Sequence, residues 1–388
     1  MYIVDCVRTP VGRRGGLLSE THPVTMLSEV LDELVHRAGV DKAQVEDVIC
    51  GCVTPLGEQG ANVGRLAALK AGFPITTPGV QLNRMCGSAQ QSIHFACQAI
   101  LAGDMDCVIA CGVESMSRVP MGSDSGCLTS GKLDGDCDVP FKLLHQGVSA
   151  EMIAEEFNIT RDEVDTYAVR SHELAFHATE ADVFASQIKP MEVVTKDGKK
   201  VMMTKDEGIR YPTSTEQLGK LKTIFKKDGV VTAGNASQIS DGAAAVLLVS
   251  GRKARELGLT KRAQVVTRVV VGSDPELMLT GPIPATKKAL EKSGLDLSEI
   301  SVFEINEAFA TVVLAWQKKL QVPWEKINPN GGAIAHGHPL GATGCILMTK
   351  LVNELERSGA RYGLQTMCIG HGMATCTIIE NCSAVAKL

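Results

Sequence analysis

Continuous apolar runs bounded by glycine alternate with amphipathic stretches along most of this chain. Residues 48–53 (Val-Ile-Cys-Gly-Cys-Val) and 107–113 carry almost no polar side chain, the pattern of strands covered on both faces. Residues 1–8 also read as strand-like and residues 61–71 as a helix. Between Val80 and Ala89 an apolar–polar alternation gives way to helical spacing. Ile93, Cys97 and Ile100 then recur on one face, and Gly103 closes the run. Strands alternating with helices predict a parallel or mixed sheet with helices on both faces.

The texture changes near Pro120. Gly, Ser, Asp and Pro dominate as far as Pro140, which predicts a loop. Polar helices follow at 149–157 and 161–181, then a Lys-rich section at 196–227. The stretch 119–237 reads as an insertion with its own surface. Buried α/β character returns at 241–250. The last third carries a helix at 343–355, a buried strand at 364–370 that ends Cys368-Ile369-Gly370, and a final strand at 375–379. In each half a Gly-rich turn with a reactive side chain opens a helix, and a buried strand follows. That recurrence points to two related halves.

Composition narrows the class. The chain has 388 residues, 44% hydrophobic and 21% charged, enough for two or three packed units. Net charge is −5, which argues against a general nucleic-acid binder. Thirteen scattered cysteines read as reduced thiols in a reducing compartment. The first eight residues start straight into a strand, with Asp5 and Arg8 too early for a signal sequence. No apolar run reaches the length of a membrane span. Ala386-Lys387-Leu388 is a conservative variant of the Ser-Lys-Leu address: peroxisomal in a eukaryote, and otherwise the expected location is cytoplasmic.

Cys86 carries the candidate chemistry. It sits in Asn83-Arg84-Met85-Cys86-Gly87-Ser88, at a strand-to-helix turn where free N–H groups and the helix dipole favour a thiolate. A thiolate there is a nucleophile. Three other segments stand out: Phe303-Glu304-Ile305-Asn306-Glu307-Ala308-Phe309, the Gly-rich run from Asn328 to Gly341 with His336-Gly337-His338, and Cys368-Ile369-Gly370-His371-Gly372. Each has an ordinary explanation alone. His338 could cap the next helix, Asn306 could be an N-cap, and Cys368 could be core. A metal pair from His336 and His338 has poor geometry and no third ligand.

Taken together and in order, these segments resemble the thiolases. The likeness runs from Val7-Arg8-Thr9-Pro10 to the last strand, and includes Gly234-Asn235-Ala236-Ser237 ahead of Asp241-Gly242-Ala243-Ala244. The resemblance implies a five-layered α/β/α/β/α fold: residues 1–118 with 238–259 as one half, 119–237 as a loop domain, and 260–388 as the other half. It implies reversible thiolysis of a 3-ketoacyl-CoA, with Cys86 as the acyl-accepting nucleophile. His338 takes the Cys86 proton and helps hold an oxyanion. Cys368 is the general acid/base. Asn306 orients a water, and the backbone N–H groups of Cys86 and Gly370 form a second oxyanion site. Arg210 and Ser237 fall at CoA contacts, and His145 near the pantetheine or acyl pocket. Gln146 stands where short-chain members often carry Met. CoA is then a co-substrate, with no metal and no bound cofactor, and the assembly is a homodimer or homotetramer. His336 fills a slot that is often aliphatic and His371 one that varies, so both are expected to be pocket or packing residues. The rate is expected to fall in mildly acidic solution as the Cys86–His338 pair is protonated. Other readings remain: a decarboxylating condensing enzyme of the same fold, a non-catalytic acyl-CoA binder, and a Cys–His hydrolase.

Overall fold

The structure, a computed structural model, describes residues 1–124 and 139–385. The Ala386-Lys387-Leu388 tail and most of the loop expected between Pro120 and Pro140 lie outside them. The chain begins with β1 (Tyr2–Arg8), β2 (Gly12–Arg13), α1 (Pro23–Ala38), β3 (Asp47–Gly51) and α2 (Val63–Lys70). It continues through β4 (Gly79–Leu82), α3 (Ser88–Ala102) and β5 (Cys107–Ser115). Next come α4 (Gln146–Glu156), α5 (Arg161–Glu180), the hairpin of β6 (Met191–Val194) and β7 (Lys200–Met203), and α6 (Thr215–Gly219). β8 (Ser240–Val249) and α7 (Gly251–Glu256) follow. The remainder is β9 (Ala263–Gly272), α8 (Pro282–Ser293), β10 (Ile300–Ile305), α9 (Ala310–Leu320), α10 (Ala333–His336), α11 (Thr343–Ser358), β11 (Tyr362–Ile369), β12 (Met373–Asn381) and α12 (Cys382–Val385).

The main strands lie in the order β10-β11-β12-β9-β1-β8-β5-β3-β4. The path splits into two equivalent halves. In the first, β4, β3 and β5 run parallel and β8 returns antiparallel between β5 and β1. In the second, β10 and β11 run parallel and β12 returns antiparallel between β11 and β9. A parallel bridge from Phe303 to Ile327 stands where the first half has β4. The halves join through Tyr2 opposite Gln264 and Ile3 opposite Ala263.

Side-chain alternation explains the five layers. On β5, Cys107, Ile109 and Cys111 pack with Leu27, Leu31 and Leu34 of α1. Val108 and Ala110 point the other way, onto Ile93 and Cys97 of α3 and Cys345 and Met348 of α11. Both faces are covered, so the strand needs no polar face and reads as one apolar run. Val265, Val302 and Ile379 close the central layer from the second half. Phe303, Leu364 and Ile378 pack outward with Ala285 of α8 and Trp316 of α9. Helices α3 and α11 touch backbone to backbone: a Cβ on Gly344 would lie 2.1 Å from Gln90 N. Gln365 Nε2 donates to Gly344 O at 2.8 Å, and Gln90 Nε2 donates to Thr377 Oγ1 at 2.8 Å. Those bonds satisfy polar groups that the dry layer would otherwise strand. α3 ends at Gly103, which takes the left-handed conformation at φ 84°.

Candidate active site

Because the two central helices are equivalent, their N-terminal turns meet, and those turns carry Cys86 and His338. The Cys86 turn is tight. Asn83 Oδ1 accepts from Met85 N at 2.7 Å, and Ser88 Oγ donates to Met85 O at 2.6 Å. Met85 is held at φ 45°, a left-handed conformation unusual for such a side chain. The turn interlocks with the end of β11. A Cβ on Gly87 would lie 2.3 Å from Ile369 Cδ1, and one on Gly370 would lie 2.6 Å from Met85 Sδ. Glycine is required at both places because the two segments press together.

The sulfurs of Cys86 and Cys368 therefore share one locality, and both side chains are buried. Burial pushes the Cys86 thiol up to about 11, against hydrogen bonds from Gly370 N–H, its own N–H and the Gln146 side chain. The sequence-based expectation of a resting thiolate thus fails in the free protein: desolvation outweighs the helix terminus. Burial also pushes Cys368 up, and the neighbouring Cys86 charge adds to it.

His338 is 4% exposed, and burial pulls its ring down to about 4. Its tautomer follows from one contact. Thr343 Oγ1 donates to Pro339 O at 2.8 Å, so it has only lone pairs for His338 Nδ1, 2.7 Å away. The imidazole proton therefore sits on Nδ1, and Nε2 is the basic nitrogen. Asn306 Nδ2 stands 3.4 Å from that Nε2. Asn306 does not cap α9, whose cap is Phe309. Its Oδ1 is buried without a partner among the described residues, a place suited to an ordered water.

Three buried carboxylates hold this scaffold, and sequence reasoning gave none of them a role. Glu307 accepts from Tyr167 Oη, Ser171 Oγ, Asn328 Nδ2 and Ile334 N within 3.0 Å, which ties the loop before His338 to α5. Glu114 accepts from Val53 N, Thr54 N, Gln59 Nε2 and Gly341 N, which ties the loop after His338 to the first half. Asp206 receives Arg8 Nη1 at 2.7 Å, Val11 N at 2.8 Å and His336 Nδ1 at 2.8 Å. Burial opposes ionisation of Asp206, but the Arg8 guanidinium and the His336 ring hold it well below the usual carboxylate range. His336 Nε2 meets Asn330 O at 2.9 Å, so neither ring nitrogen is free to bind a metal. His336 is a packing clamp behind His338. Gly337 between them sits at φ 111°, and a Cβ there would lie 2.2 Å from Ser240 Oγ.

The expected substrate residues are spread out. Arg210 lines a cleft of about 170 Å³ with His172, Gln217, Leu221 and Gln238. Gln238 links that cleft to the base, since its carbonyl accepts the His338 N–H at 3.1 Å. Ser237 N donates to Ala308 O at 3.0 Å, beside the Asn306 segment. His145 is exposed; its ring stacks on Phe225 at 4.9 Å and its Nδ1 accepts from Gly147 N. Its neighbour Gln146, rather than His145, is among the groups that pull the Cys86 thiol down. His371 follows Gly370 at φ 61°, with its Nδ1 buried and unpaired among the described residues.

The profile of the thiolase N-terminal domain matches residues 1–252, and that of the thiolase C-terminal domain matches residues 259–381. The chain belongs to the thiolase family. It is 46% identical to a steroid 3-ketoacyl-CoA thiolase of Mycobacterium tuberculosis, across 98% of this chain and 93% of that one. A crystal structure of the acetyl-CoA acetyltransferase of Bacillus anthracis superposes with a TM-score of 0.90 at 39% identity, covering 98% of both chains. The human mitochondrial 3-ketoacyl-CoA thiolase in complex with CoA superposes at 0.89 and 36% identity, covering 98% of this chain and 97% of that one.

Proposed function

We propose that this site works through an acyl-Cys86 intermediate. The reaction is thiolytic cleavage of a 3-ketoacyl-CoA by CoA, and the chain is an acetyl-CoA C-acyltransferase. His338 Nε2 takes the proton from Cys86, and the thiolate attacks the keto carbon. The Cα–Cβ bond breaks, leaving a thioester on Cys86 and the enolate of acetyl-CoA. His338 and a water on Asn306 hold the enolate oxygen, and Cys368 gives its proton to the enolate carbon. Incoming CoA returns a proton to Cys368 and attacks the thioester. The backbone N–H groups of Cys86 and Gly370 hold that second oxyanion, each such donor contributing a factor of about 10²–10³. Collapse releases the shortened acyl-CoA and restores the Cys86–His338 pair.

The observation that carries this reading is the interlock of the Cys86 turn with the Cys368–Gly370 strand end, beside a neutral His338. Incubation with an acyl-CoA followed by acid quench should add the acyl mass to the peptide containing Cys86. An adduct on Cys368 alone would overturn the assignment.

The acid limb follows from the base. His338 must be neutral to take a proton, and its folded-state value is lowered to about 4. The imidazole is therefore free at all pH above that and is lost only as pH falls through about 4. Initial rates should stay flat from pH 7 to about pH 5, not fall in mildly acidic solution as the unperturbed ring implies. A midpoint near 6.5 in kcat/KM would refute this.

Residues 119–237 act as the cover that takes CoA, with Arg210 and Ser237 on the nucleotide side. This reading divides the chain into 1–118 with 238–259, the cover, and 260–388. The working unit is a homodimer. β4 is an edge strand, and Val80 on it, Ile75 beside it and Leu66 and Leu69 on α2 are all exposed, Ile75 to 85%. Such an apolar edge suits a second copy. A monomeric mass in solution would rule that out.

A further inference from the structure

The mechanism above leaves the Gln146 side chain, beside the nucleophile, idle. Gln146 opens α4, and the helix start is fixed from both sides. His145 caps it by accepting from Gly147 N at 3.1 Å. Gly147 packs so closely on Phe225 that a Cβ there would lie 2.3 Å from the ring. Phe225 in turn meets Phe309, with ring centres 6.2 Å apart. Held this way, the Gln146 amide packs against Gly370, at the end of the strand that interlocks with the Cys86 turn. Its Nε2 lies 3.0 Å from where a Cβ on Gly370 would stand. Both the Gly370 N–H and the Gln146 side chain pull the Cys86 thiol down against burial. A side-chain amide nitrogen is a donor only, and a thiolate is an acceptor only, so a bond between them runs from the amide to the sulfur.

We infer that Gln146 is a further catalytic residue, whose side-chain N–H donates to Cys86 Sγ and stabilises the thiolate both as it attacks and as it departs. The inference rests on Cys86 being the acyl-accepting sulfur. A thioester sulfur accepts weakly, so the bond is made to the thiolate and weakens on acylation. A methionine in this place fills the space and gives no such bond.

The magnitude can be bounded. Making the thiolate easier to form by one pH unit raises its population about tenfold, when the solution pH lies below the thiol's midpoint. It lowers intrinsic nucleophilicity only about threefold, so attack gains about threefold. Departure of the same sulfur from the acyl-enzyme gains as well, because a less basic thiolate leaves faster.

The test is the pH dependence of Cys86 alkylation by iodoacetamide in the full chain, read by mass on the Cys86 peptide. Wild type is compared with Gln146→Met, which keeps volume and removes the donor, and Gln146→Glu, which turns the donor into an acceptor. Cys368, His338 and Glu114 titrate around the sulfur, and His145 and His371 lie next to its donors; all are unchanged in both variants. Gln146→Met should move the alkylation midpoint up by about one pH unit and lower kcat about threefold to tenfold, with KM changed less. Gln146→Glu should move it further. A wild-type midpoint in both folded variants overturns the inference. Thiolysis surviving in Cys86→Ala would instead overturn the parent assignment, so the two failures are distinct.

Discussion

Cys86→Ala should lower kcat/KM for thiolysis by about 10⁴-fold or more, because loss of a covalent nucleophile leaves only binding and the oxyanion donors. The loss should be chemical, not structural. The sulfur sits among Val53, Met116, Leu340, Leu347 and Met367, and removing one buried atom there costs about 1 kcal/mol. The variant should therefore fold, and CoA affinity should stay near that of wild type. Cys368→Ala gives the contrast. It keeps the nucleophile and the base, so Cys86 should still take an acyl group from an acyl-CoA, but more slowly, because Cys368 no longer protonates the departing CoA sulfur. Cleavage of a 3-ketoacyl-CoA should stall, since nothing protonates the enolate. A survey of short, medium, long and branched 3-ketoacyl-CoAs in the wild type, run beside Cys86→Ala, supplies the assay. Alanine activity within tenfold of wild type on any of them would end the assignment of Cys86.

Glu307→Ala should cost about 4 kcal/mol or more of stability. Its carboxylate is fully buried and receives two hydroxyls, one amide and one backbone N–H. Each donor left unpaired costs about 1–3 kcal/mol. Collapse cannot fill the gap easily, because the carboxyl occupies the space beside Gly332 that a Cβ would otherwise take. The same change leaves residues 328–334 tied to Tyr167 and Ser171 only through Asn328 Nδ2 and Gly332 N, so the footing of His338 loosens and activity falls with stability. Glu307→Gln keeps the volume and part of the acceptor capacity and should cost less than half as much. Urea denaturation compares the three; equal midpoints would show that Glu307 is not a keystone.

The strands and helices were legible because both faces of β5 and β8 are covered, which removes the polar alternation and leaves runs that stand out. The Cys86, Asn306, His338 and Cys368 segments were legible as motifs. What the sequence hid is long-range. The ionisation of Cys86 depends on what covers its turn, and much of that cover comes from Leu340, Leu347 and Met367, far away in the chain. A local reading sees the helix dipole and misses the desolvation that defeats it. Glu307 and Glu114 looked like ordinary acidic residues, since nothing local says that four donors will converge on each. His336 was expected to be a pocket or packing residue, and its partner Asp206 was hidden because it sits in a Lys-rich stretch that reads as surface.

The contact between Gly344 and Gln90 limits how this enzyme can be redesigned. With no side chain separating the twin helices, neither can be tilted or slid to enlarge the chamber without dragging the other's reactive turn out of alignment. On the proposed division of the chain, changes aimed at other acyl groups belong in residues 139–237, leaving the inner pair untouched.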